Sequence, residues 1–204
     1  KTYKANLGTE FVARRISRSS YIKLSIPNLV KEKKVLYVDG DTIFKDCPSK
    51  AFGIDLEDNV LGGVCDYSHF PQHRKKWESK IIPFENSNEM YINSGLLLWN
   101  LKAPENKNLI EKCKKIEERY PDKLRFNDQD LFNKVFEGKK KIINYQFNHQ
   151  IWNGIITKSD WKRLSAPGNK NVNLFHFIGK HKPWKKCCNP LITNYWKTFA
   201  SQLK

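Results

Sequence analysis

The stretch Lys34-Val35-Leu36-Tyr37-Val38-Asp39-Gly40-Asp41 decides how the rest of the chain is read. Residues 35–38 are an apolar run rich in β-formers, the pattern of a short strand buried on both faces. That strand runs straight into Asp-x-Asp. Side chains two apart on an extended chain face the same way, so the carboxylates of Asp39 and Asp41 converge. Gly40 removes the side chain between them and lets the backbone turn or a ligand approach. Ligands bind at the carboxyl ends of strands in open α/β sheets. Two hard oxygen ligands there suit Mg²⁺ or Mn²⁺, which bridge phosphate oxygens. Alone, the segment reads better as a polar turn, because Asp-Gly is a common turn dipeptide.

Working outward, strands and helices alternate. On the N-terminal side, Ser19 and Ser20 can cap a short helix carrying Ile22, Ile26 and Leu29, broken or restarted at Pro27. On the C-terminal side, residues 60–65 read as a strand loosened by Gly62 and Gly63, and residues 94–101 as a third strand. A helix then opens at Pro104 with Leu109, Ile110, Cys113 and Ile116 on one face. Another opens near Asn127, buries Leu131, Phe132, Val135 and Phe136, and stops at Gly138. Residues 141–145 and 172–177 read as late strands. A last helix starts at Asn189-Pro190 with Ile192, Trp196, Phe199 and Leu203 at helical spacing. The alternation predicts an α/β sheet with parallel strands. No repeat, low-complexity tract or Gly/Ser linker interrupts it, which favours one domain.

Composition narrows the class. The chain has 204 residues, 39% apolar and 13% aromatic, too apolar for a disordered tail. Its longest apolar run, Leu96-Leu97-Leu98-Trp99, is far short of the ~20 residues that span a membrane. Lys1 to Lys4 lack the apolar core of a secretory signal. Lys and Arg number 37 against 21 acidic residues, a net charge of +16 that recruits anions or simply keeps a Lys-rich surface soluble. Cys47, Cys65, Cys113, Cys187 and Cys188 are odd in number and irregularly spaced, which argues against a disulfide scaffold and for a reducing cytosol. Cys187 and Cys188 with His176 and His181 lack a second pair at zinc-ligand spacing, so they read as structural thiols.

Three further segments carry candidate chemistry, each with a plainer reading. Residues 175–184 place His176 at a strand end, then Gly179, Lys182 and a fixing Pro183-Trp184. The imidazole completes a mixed oxygen and nitrogen shell that favours Mn²⁺ over Mg²⁺. Gly179 permits close backbone approach, and Lys182 can neutralise a phosphate as a point charge. A basic surface loop with a core histidine is the alternative. Asn127-Asp128-Gln129-Asp130 is an acidic helix start, which capping and the helix dipole explain equally well. Tyr91-Ile92-Asn93-Ser94-Gly95 is a polar segment ahead of a buried strand, or a strand-entry turn.

Taken in order, these segments resemble glycosyltransferase family 8, the retaining, metal-dependent sugar transferases of the GT-A fold that include bacterial lipopolysaccharide galactosyl- and glucosyltransferases and glycogenin. The resemblance rests on residues 21–24, 34–41, 93–101, 128–130 and 176–184, and spans roughly residues 19–184 in the family's order. It implies a Rossmann-like, mixed but mainly parallel sheet flanked by helices. Residues 1–184 would be the catalytic domain and 185–204 a basic, aromatic helix packed on it. The family opens with a β-α-β segment whose first strand holds the uracil and ribose. Residues 1–15 contain no such strand, so the sheet is expected to lack its leading strands.

The resemblance also implies roles. Asp39, Asp41 and His176 would ligate Mn²⁺, with Mg²⁺ as the alternative, bound to the donor's diphosphate. Gly179 and Lys182 would hold that diphosphate together with Lys23, which stands where the family usually has Arg. Asp66, Asn93, Ser94 and Asp128 would line the donor sugar. Gln129 would lie beneath the anomeric carbon, with Asp128 and Asp130 as neighbouring catalytic candidates. The implied reaction moves a hexose from UDP-galactose or UDP-glucose to a saccharide or glycolipid acceptor in lipopolysaccharide or surface-glycan synthesis. An inactive family fragment and a basic nucleic-acid-binding protein are the competing readings; with the transferase reading no nucleic-acid partner is expected. The implied location is the cytoplasm, peripheral on the inner face of the membrane. Lys185, Lys186, Trp196, Phe199 and Lys204 would rest on anionic lipid, unless Trp196 and Phe199 simply pack the last helix on the core.

Overall fold

The nine-residue strand Ile92–Asn100 (β4), buried from Ile92 through Trp99, organises the larger of two sheets in the computed structural model, which describes residues 18–67, 81–86, 88–152, 157–166, 169–186 and 188–201. The chain divides into two compact units: residues up to Tyr37 with Ile54–Ile143, and Val38–Gly53 with the residues from Asn144 onward. The crossings fall at element ends and carry no linker composition, so the sequence pattern does not mark them.

In the first unit the sheet order is β1 (Lys34–Val38), β4, β3 (Leu61–Cys65), β5 (Lys140–Ile142). β3 runs antiparallel to β4, with Gly63 opposite Leu97 and Cys65 opposite Ile92, and parallel to β5. The register shifts between Gly63 and Cys65, an irregularity that turns the strand end where Asp66 follows. Gly62 and Gly63 do not loosen this strand as expected. A Cβ on Gly63 would sit 2.8 Å from Ile92 Cδ1 and 3.0 Å from Ile92 Cβ, so the missing side chain lets β4 close in.

Residues Arg18–Ser25 form a 3₁₀ helix leading into α1 (Ile26–Leu29), which has Pro27 in its first turn. With three residues per turn the buried apolar pair is Tyr21 and Leu24, and Ile22, expected inside, is 43% exposed. The next helix begins at Leu109, not Pro104, which instead opens a 3₁₀ turn; α3 (Leu109–Arg119) buries Leu109 and Cys113. The helix α4 (Asp128–Val135) packs Phe132 edge-on to Trp99 at 5.4 Å. These aromatics, with Leu97, Leu131 and Phe136, are the heart of the first core.

In the second unit β2 (Thr42–Phe44), β7 (Leu174–Ile178) and β6 (His149–Trp152) form a sheet in the order β2-β7-β6. β2 is antiparallel and β6 parallel to β7. Pairing is thus mixed in both sheets. A four-residue turn of helix, α2 (Ser49–Phe52), follows β2. Two longer helices, α5 (Lys158–Ser165) and α6 (Pro190–Ala200), cover β7 through Trp161, Ile192 and Trp196. Trp161 lies 5.2 Å from Phe175, and Trp196 5.7 Å from Phe177. So Trp196 and Phe199, offered above for lipid contact, pack on the protein core; Lys204, Leu203, Cys187 and residues 1–15 lie outside the described residues. Among the described residues no helix is long and apolar enough to cross a membrane, and Cys47, Cys65, Cys113 and Cys188 are free thiols.

Candidate functional site

In the second unit the β2–β7 register builds a three-ligand cluster. Asp39 and Asp41 follow β1, and Thr42 Oγ1 donates to the Asp39 carbonyl at 2.8 Å, closing the turn around Gly40. Thr42 pairs with His176 across the sheet, and the Phe177 amide donates to the Asp41 carbonyl at 3.0 Å. This seats the imidazole beside both acids, about 135 positions away in sequence. His176 Nε2 lies 3.4 Å from Asp41 Oδ1 and 3.9 Å from Asp39 Oδ2. One ligand atom from each of the three residues lies within 4.8 Å of the others.

The other imidazole nitrogen fixes the ring orientation. Nδ1 is 3.0 Å from Asn148 Oδ1, a contact that orients the ring so that Nε2 faces the carboxylates. Two carboxylates and one imidazole nitrogen converging from β-strand ends are the donor set of a Mn²⁺- or Mg²⁺-type cation, and the residues fit such an ion. Asn148 was not legible as an orienting group. It is a buried asparagine in a 3₁₀ turn, and no local spacing links it to His176.

Lys182 shares this cluster. Gly179, at φ +81°, folds the loop back over the strand end, where Lys182 Nζ bonds Asp41 Oδ2 and the Phe177 carbonyl, the latter at 2.8 Å. Burial alone would raise the Asp41 carboxyl, but His176 and Lys182 outweigh it and hold it far below the ordinary carboxylate range.

The first unit holds a second polar cluster, enclosed where the first is open. Asp66 Oδ2 accepts from Asn93 Nδ2 at 2.9 Å and Gln129 Nε2 at 3.0 Å. Gln129 Oε1 accepts from the Ser94 amide at 2.9 Å and from Asn93 Nδ2 at 3.2 Å. Asp128 Oδ2 accepts from Ser94 Oγ at 3.0 Å and pairs with Lys23 Nζ at 2.9 Å. Lys23, 2% exposed, also donates to the Ser94 carbonyl and lies 4.8 Å from the Tyr37 ring centre. The structure therefore brings Lys23 together with Asp66, Asn93, Ser94, Asp128 and Gln129, whereas Gly179 and Lys182 belong to the other unit.

Asp130 departs from its neighbours. Its oxygens accept from Tyr91 OH at 2.6 Å and from the Phe126 amide at 2.5 Å, so it holds the start of α4. Burial pushes its carboxyl up to about 7, aided by the negative charges of Asp128 and Asp66. Asn127, read above as the helix cap, does not cap: its backbone takes φ +48° and its buried Nδ2 lacks a hydrogen-bond partner. Sequence reasoning also missed Asn133. Fully buried one turn after Gln129, it bonds Ile92 N and O and the Gln129 carbonyl, locking α4 to β4. Its spacing from Gln129 was the available signal.

A family model described as glycosyl transferase family 8 matches residues 4–188. A Haemophilus influenzae protein bearing a glycosyltransferase name is 28% identical over 178 residues, covering 86% of this chain and 52% of its own length. A lipopolysaccharide 1,2-glucosyltransferase of Escherichia coli is 25% identical over 171 residues, 80% of this chain and 48% of its own length. The crystal structure of the galactosyltransferase LgtC with donor and acceptor sugar analogs superposes with a TM-score of 0.71 at 25% identity, covering 91% of this chain and 68% of that one. The chain spans about half the length of these curated relatives. The mixed α/β architecture with flanking helices is the GT-A-type fold expected from the sequence.

Proposed function

The chain belongs to glycosyl transferase family 8, and we propose that it moves a hexose from UDP-galactose or UDP-glucose to a hydroxyl of a saccharide or glycolipid acceptor, with retention. Lipopolysaccharide or surface-glycan synthesis is the setting favoured by the name of the Escherichia coli relative. Residues 1–184 would be the catalytic domain. The observation that carries the reading is the convergence of Asp39, Asp41 and His176 on one point.

Those three residues would hold the divalent cation, Mn²⁺ by its mixed oxygen and nitrogen donors. When bound, such an ion neutralises the charge that grows on a leaving diphosphate. Asn148 orients His176 for this task. Lys182, which bonds Asp41 and the Phe177 carbonyl, would donate to a phosphate oxygen of the diphosphate. The turn at Gly179 gives the backbone amides close approach.

In the other unit, Asp66, Asn93, Ser94 and Asp128 would recognise sugar hydroxyls, held at fixed spacing by their mutual hydrogen bonds. Gln129 is neutral and bonded at both ends of its amide, a poor nucleophile. Asp130 is occupied by Tyr91 and Phe126 and serves as a positioning residue. That pair of facts supports front-face attack by the acceptor, with the departing phosphate oxygen taking its proton. Lys23 would act through Asp128, which it neutralises. Lys185 and Lys186 would rest on the inner face of an anionic membrane.

A donor-hydrolysis screen of UDP-sugars with Mn²⁺, on the protein with its native flanking regions, tests the reading. Hydrolysis of UDP-galactose or UDP-glucose that disappears in Asp41→Ala supports it. Equal rates in the two proteins contradict it.

A further inference from the structure

We propose that Lys182 is a tethered counter-ion of the Asp39–Asp41–His176 cluster: it weakens metal binding while no diphosphate is present and is drawn away when one arrives. This rests on the metal reading above and adds its regulation. The two oxygens of Asp41 face different cations. Oδ1 points to His176 Nε2 at 3.4 Å, and Oδ2 is bonded by the Lys182 ammonium. The ammonium sits where it does because the positive φ of Gly179 turns the loop back and the Phe177 carbonyl anchors it at 2.8 Å. It is partly exposed, 23%, and so able to swing out without breaking a core.

The electrostatic consequence is direct. A divalent ion ligated by Asp41 would lie within a few ångströms of a fixed positive charge, and like charges at that range repel even in a partly solvated site. The ammonium also withdraws charge from the carboxylate that the ion needs. A diphosphate offers Lys182 a competing anion with more charge than a single shared carboxylate. Transfer of the ammonium to phosphate would then remove the repulsion and return Asp41 to the metal. Metal and diphosphate bind with positive coupling, and by linkage each tightens the other by the same factor.

The test is Mn²⁺ binding followed by the electron-spin resonance signal of the free ion, first alone and then with UDP. Lys182→Met should bind Mn²⁺ alone about tenfold more tightly than the natural chain, and the further tightening by UDP should shrink. Lys180→Met, on the same loop, should change neither. Equal or weaker binding of Mn²⁺ by Lys182→Met overturns the proposal, since Lys182 would then be orienting Asp41 rather than competing with the ion. If neither the natural chain nor Lys182→Met binds Mn²⁺, the metal reading fails as well.

Discussion

Both units gather carboxylates and one lysine, yet they do so to opposite ends. In the first unit Asp66, Asp128 and Asp130 are 8% exposed or less, and the amides, hydroxyls and Lys23 around them are aimed at one another. In the second, the Asp39 and Asp41 side chains remain 29% and 15% exposed around the His176 imidazole. A closed network is stiff and holds a shape, because each buried polar group is partnered. An open cluster of acceptors retains affinity for something that is not part of the chain. On the proposed reading, the difference separates residues that would present hydrogen bonds to a sugar from residues that would take a cation.

Activity gives the largest contrast. In the protein with its native flanking regions, Asp39→Ala should lower Mn²⁺-dependent turnover by roughly 10³-fold or more, as expected when electrostatic support of a leaving group is removed. Near-normal rates would dissolve the distinction between the clusters. Stability should show the reverse. Lys23→Met leaves Asp128 charged and buried, a loss of about 3–5 kcal/mol. Asp39→Asn should stay within about 0.5 kcal/mol, as partly exposed positions do. Thermal unfolding of the two variants checks this, and equal losses would mean that the metal cluster is also structural.

How much of this was legible in the sequence differs between the clusters for a physical reason. Asp39 and Asp41 were legible because their convergence is local, set by a strand and a glycine. Their union with His176 depends on a strand of three residues, β2, too short to announce itself by periodicity. Only the order of motifs along the chain pointed to it. β6 and α5 were not anticipated, being four and eight residues long and poor in alternation. The two asparagine caps are instructive together. Asn189 caps α6, its side chain accepting from the Leu191 amide, as its place before Pro190 suggests. Asn127 does not, because the chain enters α4 at a positive φ that turns its side chain elsewhere. Tertiary packing around Asp128 and Gln129 overrode the local preference.

A smaller effect sharpens the comparison on the metal side. Asn148→Ala frees the His176 ring to rotate and change tautomer, and should weaken Mn²⁺ binding about 10- to 100-fold. A calorimetric titration reads it, and an unchanged affinity would remove Asn148 from the site.

The smallest effect belongs to the closed network. The Asp130 carboxyl, raised by burial from 3.8 to about 7, stabilises the fold in its protonated form. That contribution is complete below its unfolded value and is lost as the pH rises through about 7. Tyr91, Phe126, Asp128 and Asp66 are the groups that face it. Between pH 6 and 8 the natural chain should lose about 1–2 kcal/mol more stability than Asp130→Asn. Parallel denaturation profiles for the two proteins would place the Asp130 proton elsewhere.

Anomalous scattering from crystals soaked in Mn²⁺ tests the central claim most directly. One peak should appear about 2.0–2.3 Å from a carboxylate oxygen of Asp39, a carboxylate oxygen of Asp41 and Nε2 of His176. Manganese bound elsewhere, with these three side chains untouched, would contradict it.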